Sequence, residues 1–148
     1  MSEHNGVPVR KTVGAILVNE RGEVLLQQRD EKPGLLYPGH WTFFGGAVED
    51  GETIDEAIRR ELWEELELEL PLTYWMEYVC PVRTVDGEVI VRNNMFIGAM
   101  TQPLDALTLH EGQAMAYFDR EAAAALTLAY DQSPVLMDYF DMKAAEND

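Results

Sequence analysis

Short runs of apolar and β-branched residues, separated by turn residues, recur along most of the chain. Such runs predict β-strands, because the flanking Gly, Pro, Asn and Asp residues favour turns. Turns around Gly22 and at Asp86-Gly87 would join two pairs of neighbouring runs as hairpins. The predicted strands cover residues 12–19, 24–29, 41–44, 72–80, 89–100 and 114–118, and Gly45-Gly46 is predicted to end the third.

Three segments show helical periodicity instead. In the first, Thr53 is a suitable N-cap, and Glu56 three residues later completes a capping box. Helical spacing of apolar residues continues from there to about Leu66. The second helix begins within "DREAAAAL", and the third opens at Ser133-Pro134. The apolar side of the third helix consists of Val135, Leu136, Tyr139 and Phe140.

Strands and helices mix along the chain without a regular strand–helix–strand alternation. This order predicts an α+β fold with a mixed or antiparallel sheet. The sequence contains no internal repeat, low-complexity tract or linker, and 47% of its 148 residues are hydrophobic. One domain over residues 1–148, with a sizeable core, is therefore expected.

Acidic residues outnumber basic residues by 27 to 11, which gives a net charge of −16. Such a chain repels nucleic-acid backbones and anionic lipids, so neither a nucleic-acid polymer nor a membrane is expected as a partner. No apolar run approaches the roughly 18 residues that span a bilayer, and "MSEHNG" lacks the apolar region of a signal peptide. The single cysteine, Cys80, excludes an internal disulfide. These features predict a cytoplasmic protein.

The first predicted helix lies in the most acidic part of the chain. At 100° per residue, Glu61 and Glu65 fall inside the apolar arc of this helix, one turn apart, and Glu64 falls at its edge. Two inward carboxylates raise each other's pKa or share a cation, and a hard divalent ion such as Mg²⁺ suits oxygen ligands. The alternative is that this half of the helix leaves the core, so that its acids are hydrated.

The same segment resembles the Nudix box, a pattern of glycines, glutamates and one arginine at fixed spacings. Eight of its nine fixed positions match, and these are Gly46, Glu52, Arg60, Glu61, Leu62, Glu64, Glu65 and Leu68. The stretches "VLLQQR", "WTFFGG" and "EGQ" also resemble MutT-like members of that family. The likeness therefore covers roughly residues 10–140.

The resemblance implies a Nudix α-β-α sandwich with a mixed central sheet. It also implies a Mg²⁺-dependent hydrolase, with Mn²⁺ as an alternative ion. Such enzymes cleave the pyrophosphate linkage of a nucleoside diphosphate joined to another group, as in a nucleoside triphosphate or a nucleotide sugar. The implied metal ligands are Glu61, Glu64, Glu65, Glu111 and the carbonyl of Gly45.

The resemblance also assigns roles around these ligands. One of the four carboxylates would take the proton of the attacking water. Arg60 and Glu52 would form an ion pair that orients the loop against the helix. The family is compatible with a homodimer.

Three residues are candidates for substrate contact. Arg29, at the end of a predicted strand, offers a guanidinium that can pair with phosphate oxygens in a fork. Trp41 either stacks on a base or sugar or belongs to the core. Gly46 of the box is expected beside the substrate.

One box position departs from the family pattern, because Glu67 stands where glycine is usual. A residue other than glycine in a left-handed helix end costs roughly 1 kcal/mol. A changed helix end, with one extra turn, is therefore predicted.

Two other functions stay open at this point. A nucleotide-sensing module would keep the fold without catalysis, although such modules usually lose the carboxylates. The stretch "RDEKPGLLYPGHWT" is similar to the isopentenyl-diphosphate isomerases, which need a cysteine soon after the Trp-Thr pair. Phe43 and Phe44 occupy that place here, so isomerisation is disfavoured.

Overall fold

The computed structural model describes residues 3–4 and 6–146, which form a mixed β-sheet with helices packed against it. The strands are β1 (Glu3–His4), β2 (Val7–Val18), β3 (Val24–Gln28), β4 (Trp41–Thr42), β5 (Phe44–Ala47), β6 (Thr73–Thr84), β7 (Gly87–Ala99) and β8 (Ala114–Phe118). The α-helices are α1 (Ile54–Leu66), α2 (Arg120–Ala124) and α3 (Gln132–Glu146), and short 3₁₀-helices lie at Leu104–Ala106 and Ala129–Asp131.

The sheet is mixed because β2 and β7 run parallel, whereas β2 is antiparallel to β3 and β5. The strand order is β4-β3-β2-β7-β6, and β8 adds to β3. On one edge, β2 pairs with β7 from Val9 to Val18; on the other it pairs with β3 near its end and with β5 further back. This topology confirms the predicted α+β fold with a mixed sheet.

Alternate residues of β2 serve two separate cores, because successive side chains of a strand point to opposite faces. Val13, Ala15 and Leu17 pack in one cluster with the apolar side of α1. Ile16 packs in a second cluster with the apolar side of α3. The sheet therefore lies between α1 and α3, in the order helix, sheet, helix that the family resemblance implied.

Most predicted strands are found, but several are longer than predicted. Strand β2 begins at Val7, and β6 and β7 extend over 12 and 13 residues. Thr84 pairs with Gly87, so the predicted hairpin is confirmed, but its turn residues are Val85 and Asp86, one position before the predicted Asp86-Gly87. Most of the extra residues are exposed or half-buried, which is why an apolar pattern underestimates these strands.

The predicted strand over residues 41–44 is wrong in two respects. It is interrupted at Phe43, and Gly45-Gly46 do not end it but lie inside β5, paired with β2. A Cβ atom on Gly45 would stand 2.0 Å from the carbonyl oxygen of Val13. Glycine is therefore needed here for close approach of two backbones, whereas the sequence analysis placed it at the end of a strand.

The start of α1 agrees with the prediction. The Thr53 hydroxyl oxygen accepts from the Glu56 N–H at 3.1 Å, and Glu56 Oε1 accepts from the Thr53 N–H at 2.9 Å. These two bonds form the predicted capping box and satisfy two amide groups that the helix itself leaves free.

The end of α1 differs from the prediction, since there is no extra turn. The helix ends at Leu66, and Glu67 itself adopts the left-handed conformation, with φ 53° and ψ 41°. Its N–H donates to the Trp63 carbonyl at 2.8 Å, and the Leu68 N–H donates to the Leu62 carbonyl at 3.3 Å. Because these bonds and the buried Leu68 fix the helix end, a non-glycine residue is tolerated there.

The C-terminal helices follow the predicted pattern closely. The carboxylate of Asp119 caps α2 by accepting from the Ala122 N–H at 2.8 Å. Helix α3 begins at Gln132, one residue before the predicted start, and its predicted apolar side is buried. In the range that the structure describes, no helix has both the length and the apolar character needed to cross a membrane.

Candidate active site

A cleft of about 500 Å³ opens beside β2, β5 and β7 and reaches the C-terminal half of α1. Its lining includes the polar side chains of Gln27, Glu65 and Glu111. Three of the chain's 11 basic side chains also line it, namely Arg10, Arg29 and Lys32. A strongly acidic protein has therefore placed cations beside a group of carboxylates.

Helix α1 directs its acids as the periodicity predicted. Glu65 is only 1% exposed, and the side chain of Glu61 is 12% exposed, whereas that of Glu64 is 52% exposed. The two inward positions are one helical turn apart and belong to the apolar side of the helix. The alternative in which this half of α1 leaves the core is therefore wrong for Glu61 and Glu65.

Two donors bind the buried carboxylate of Glu65. The Gln27 side-chain amide donates to Oε1 and the Gly45 N–H donates to Oε2, each at 3.1 Å. Burial raises the pKa of Glu65 to about 9, the charge of Glu61 adds to the shift, and the Gln27 bond opposes it. Glu65 is thus oriented by strands β3 and β5, but a negative charge on its carboxyl group is poorly compensated, so the group holds its proton at neutral pH in the metal-free protein.

Glu61 and Glu111 lie close enough to share this electrostatic environment. Burial raises the pKa of Glu61, the neighbouring Arg60 opposes that shift, and Glu64 and Glu111 add to it. The charge of Glu111 also raises the pKa of Glu65. The structure therefore brings Glu111, distant in sequence, to the same site as the α1 carboxylates.

Arg60 connects the loop before α1 to the helix carboxylates. Its Nε and Nη2 donate to the two oxygens of Glu52 at 2.7 and 2.9 Å, and Nη2 also donates to the Ala47 carbonyl at 3.0 Å. Its Nη1 donates to Glu61 at 3.0 Å and to Glu64 at 3.2 Å. The fork to Arg60 lowers the pKa of Glu52 to about 2. This geometry suits the predicted orienting role of the Arg60–Glu52 pair.

Replacing Arg60 by Lys is expected to lower kcat/KM by about 10- to 100-fold, because an ammonium cannot hold both Glu52 oxygens and Glu61 together. Arg59→Lys is the matched control, since Arg59 pairs with the exposed Asp55 of the same helix. Steady-state kinetics on both variants measure this effect. An equal kcat/KM for Arg60→Lys and wild type would contradict the orienting role of Arg60.

The predicted donor set suits a hard cation, because it consists of carboxylates and the backbone carbonyl of Gly45. Among the described residues, however, no three His, Cys, Asp or Glu side chains already converge on a single metal position. Glu61 and Glu64 are instead bonded to Arg60, and Glu65 to Gln27 and Gly45. An uncompensated buried carboxylate surrounded by like charges is what a divalent ion would stabilise.

The three substrate candidates have different surroundings. Arg29 lines the cleft, donates from Nε to the Leu36 carbonyl at 2.8 Å and stands 5.5 Å from the ring centroid of Tyr130. Gly46 lies against Glu61, because a Cβ atom there would be 2.4 Å from Glu61 Oε1. Trp41 packs in the second core with its ring 4.9 Å from that of Phe118. Of the two readings of Trp41, the structure favours the core.

Sequence reasoning missed the amides that support the cleft. Gln27 is buried and binds Glu65, and Gln132 accepts from the Thr42 hydroxyl at 2.9 Å and the Phe43 N–H at 3.0 Å. Asn93 is buried in β7 and accepts from the Thr12 hydroxyl at 2.9 Å. The available signal was the presence of amides at inward positions of apolar strands, as in "VLLQQR" and "VRNNMF".

Comparison with known proteins agrees with the family resemblance seen in the sequence. A family model described as the NUDIX domain matches residues 8–139. Over 64 residues the chain is 42% identical to the nucleoside triphosphatase NudI of Escherichia coli O139:H28, a match that spans 43% of this chain and 45% of NudI. The relative is thus matched over a little less than half of its length.

Two solved structures resemble the whole fold. The solution structure of the E. coli ORF135 protein has a TM-score of 0.74 and 29% identity, with 97% of each chain covered. The crystal structure of a MutT protein from Methanosarcina mazei Go1 has a TM-score of 0.70 and 24% identity, with 96% of this chain and 97% of the other covered.

Proposed function

Because the chain belongs to the Nudix family, we propose that it is a divalent-metal-dependent pyrophosphohydrolase that acts on nucleoside triphosphates. The observation that most supports this proposal is the burial of Glu65 at the cleft, where Glu61 and Glu111 add like charge. Such an arrangement is costly for stability alone, so a function at this site accounts for it.

The metal proposed for this site is Mg²⁺, with Mn²⁺ as an alternative. Its ligands would come from Glu61, Glu64, Glu65, Glu111 and the carbonyl of Gly45, which together offer only hard oxygen donors. When bound, the ion would offset the negative charge of the site, polarise the phosphates and lower the pKa of a water molecule.

The residues of the chain would supply the remaining chemistry. One of Glu61, Glu64, Glu65 and Glu111 takes the proton of the attacking water. Arg60 keeps Glu61 in place through its fork to Glu52. Gln27 and the Gly45 N–H keep the Glu65 carboxylate in one orientation.

Nucleoside triphosphates are the proposed substrate class for two reasons. The relative NudI is named as a nucleoside triphosphatase. The cleft, at about 500 Å³, is within the usual range for small-molecule sites and has basic residues along its wall. Arg29 is the proposed phosphate contact, because its guanidinium is held at the cleft by Leu36 and Tyr130.

The test is an assay of purified protein with Mg²⁺ against nucleoside triphosphates, nucleotide sugars and ADP-ribose, with products resolved by chromatography. We expect a nucleoside monophosphate and pyrophosphate from triphosphates, and loss of both products in Glu61→Gln. Binding of nucleotides without cleavage by the folded protein would instead support the nucleotide-sensing module.

The isomerase alternative is disfavoured by the surroundings of the only cysteine. Cys80 is buried, and burial raises the pKa of its thiol to about 12. Phe43 and Phe44, at the place where the cysteine would be needed, are buried in the two cores. A neutral, enclosed thiol is a poor catalyst.

A further inference from the structure

The loop that brings Glu111 to the cleft is bonded to the end of α1 by a pair of residues without a role in the proposed chemistry. His110 Nε2 lies 2.8 Å from Glu67 Oε2. Because a carboxylate can only accept, the imidazole donates in this bond. The His110 N–H donates to the Glu65 carbonyl at 2.8 Å, so both the side chain and the backbone of His110 contact the helix end.

The other side of this loop is fixed to the end of β3. The Gln113 N–H donates to the Gln28 carbonyl at 2.9 Å, and the Gln113 side chain donates to the Arg29 carbonyl at 3.0 Å. Gly112 has φ 80°, and a Cβ atom on it would stand 2.7 Å from the Gln28 carbonyl oxygen. Glu111 therefore lies between two anchors, one on α1 and one on β3.

The side-chain bond of the anchor on α1 depends on Glu67, the strained residue at the end of that helix. Glu67 has a left-handed backbone, which glycine would adopt at lower cost. A glycine there would relieve the strain but would remove the carboxylate that binds His110. Glu67 is therefore less favourable than glycine for the helix end, but it supplies the carboxylate that binds His110 in the loop.

We propose that Glu67 and His110 are positioning residues that hold Glu111 beside Glu61 and Glu65. This inference rests on the proposed function, in which these three carboxylates share one metal site. The two bonds from His110 to the helix end, one from its side chain and one from its N–H, keep the neighbouring Glu111 at the cleft.

The main test is Glu67→Gly, for which stability and catalysis should respond in opposite ways. The melting temperature should stay unchanged or rise by up to about 3 °C, because the backbone strain is removed. In the metal-free protein, amide hydrogen exchange over residues 108–113 should become about 5-fold faster, since the half-exposed Glu67–His110 side-chain bond is lost while the bond from the His110 N–H to the Glu65 carbonyl remains. With Mg²⁺ and a nucleoside triphosphate, kcat should fall about 10-fold while KM changes less than twofold.

Four further variants separate positioning from a general structural effect. Glu67→Gln still accepts a hydrogen bond and should keep kcat and loop exchange near wild type. His110→Ala should repeat the Glu67→Gly effects on kcat and loop exchange, and the double variant should be no worse than either single one. Glu77→Gln removes the ion pair with Arg92 between β6 and β7, and it should leave kcat and loop exchange unchanged.

The inference is overturned if Glu67→Gly leaves loop exchange and kcat within twofold of wild type. It is also overturned if Glu67→Gln is as impaired as Glu67→Gly, because the effect would then not depend on the hydrogen bond. If wild type cleaves no nucleotide, the proposed function fails, and the loop exchange of the metal-free variants still decides this inference.

Discussion

Glu65→Gln is expected to lower hydrolysis by about 10³-fold while making the metal-free protein more stable. Activity falls because the variant loses the most deeply buried carboxylate of the proposed metal site. Stability rises because a neutral amide replaces a carboxylate whose pKa in the folded protein is about 9, raised from 4.5. At pH 8 the gain should be roughly 2–4 kcal/mol in the free energy of unfolding.

The size of this stability gain depends on pH. A carboxyl group with a raised folded pKa stabilises the folded state fully below its unfolded pKa of 4.5 and loses that contribution as pH rises towards 9. The stability difference between Glu65→Gln and wild type should therefore grow from near zero at pH 4.5 to its maximum near pH 9. Urea unfolding without metal, from pH 5 to 9, measures it, and a difference independent of pH would contradict the assignment.

Gly45→Ala is expected to destabilise the protein by about 3 kcal/mol or more and to remove activity. The new Cβ atom would lie 2.0 Å from the Val13 carbonyl oxygen and 2.8 Å from the Gly14 Cα atom, so β5 must separate from β2. That movement would also displace the Gly45 N–H from Glu65. Chemical denaturation and the hydrolysis assay test both effects.

Gly46→Ala provides the matched control one residue away. Its Cβ atom would meet the carboxylate of Glu61, which is the mobile end of a side chain. The free energy of unfolding should change by less than about 1 kcal/mol, while activity should fall about 100-fold because Glu61 is displaced. Equal loss of stability in the two variants would show that both glycines serve only the strand pairing.

Local patterns predicted those parts of the fold that depend on nearby residues. Thr53 and Glu56 indicate the start of α1 because both partners of the capping box lie within one helical turn. The role of Gly45 was missed because its reason is the backbone of Val13, 32 residues away in sequence and paired only in the folded sheet. The break at Phe43 likewise depends on Gln132, which accepts from its N–H.

In the candidate site too, features set by nearby residues were predicted from the sequence, and features set by distant residues were not. Helical periodicity alone placed Glu61 and Glu65 inward, and their burial agrees with it. The predicted extra turn at Glu67 was wrong because a left-handed backbone is held there by contacts with Leu62, Trp63 and His110. No periodicity in the sequence indicates that Gln27 binds Glu65, since that bond joins β3 and α1, which come together only in the folded protein.

The most direct test of the metal assignment is proton release on metal binding. At pH 7 the Glu65 carboxyl should hold a proton in the metal-free protein, and a bound ion should displace it. Calorimetric titration with Mn²⁺ in two buffers of different ionisation enthalpy should show release of about one proton in wild type and none in Glu65→Gln. Binding of equal strength in both proteins, without proton release, would contradict a metal site at Glu65.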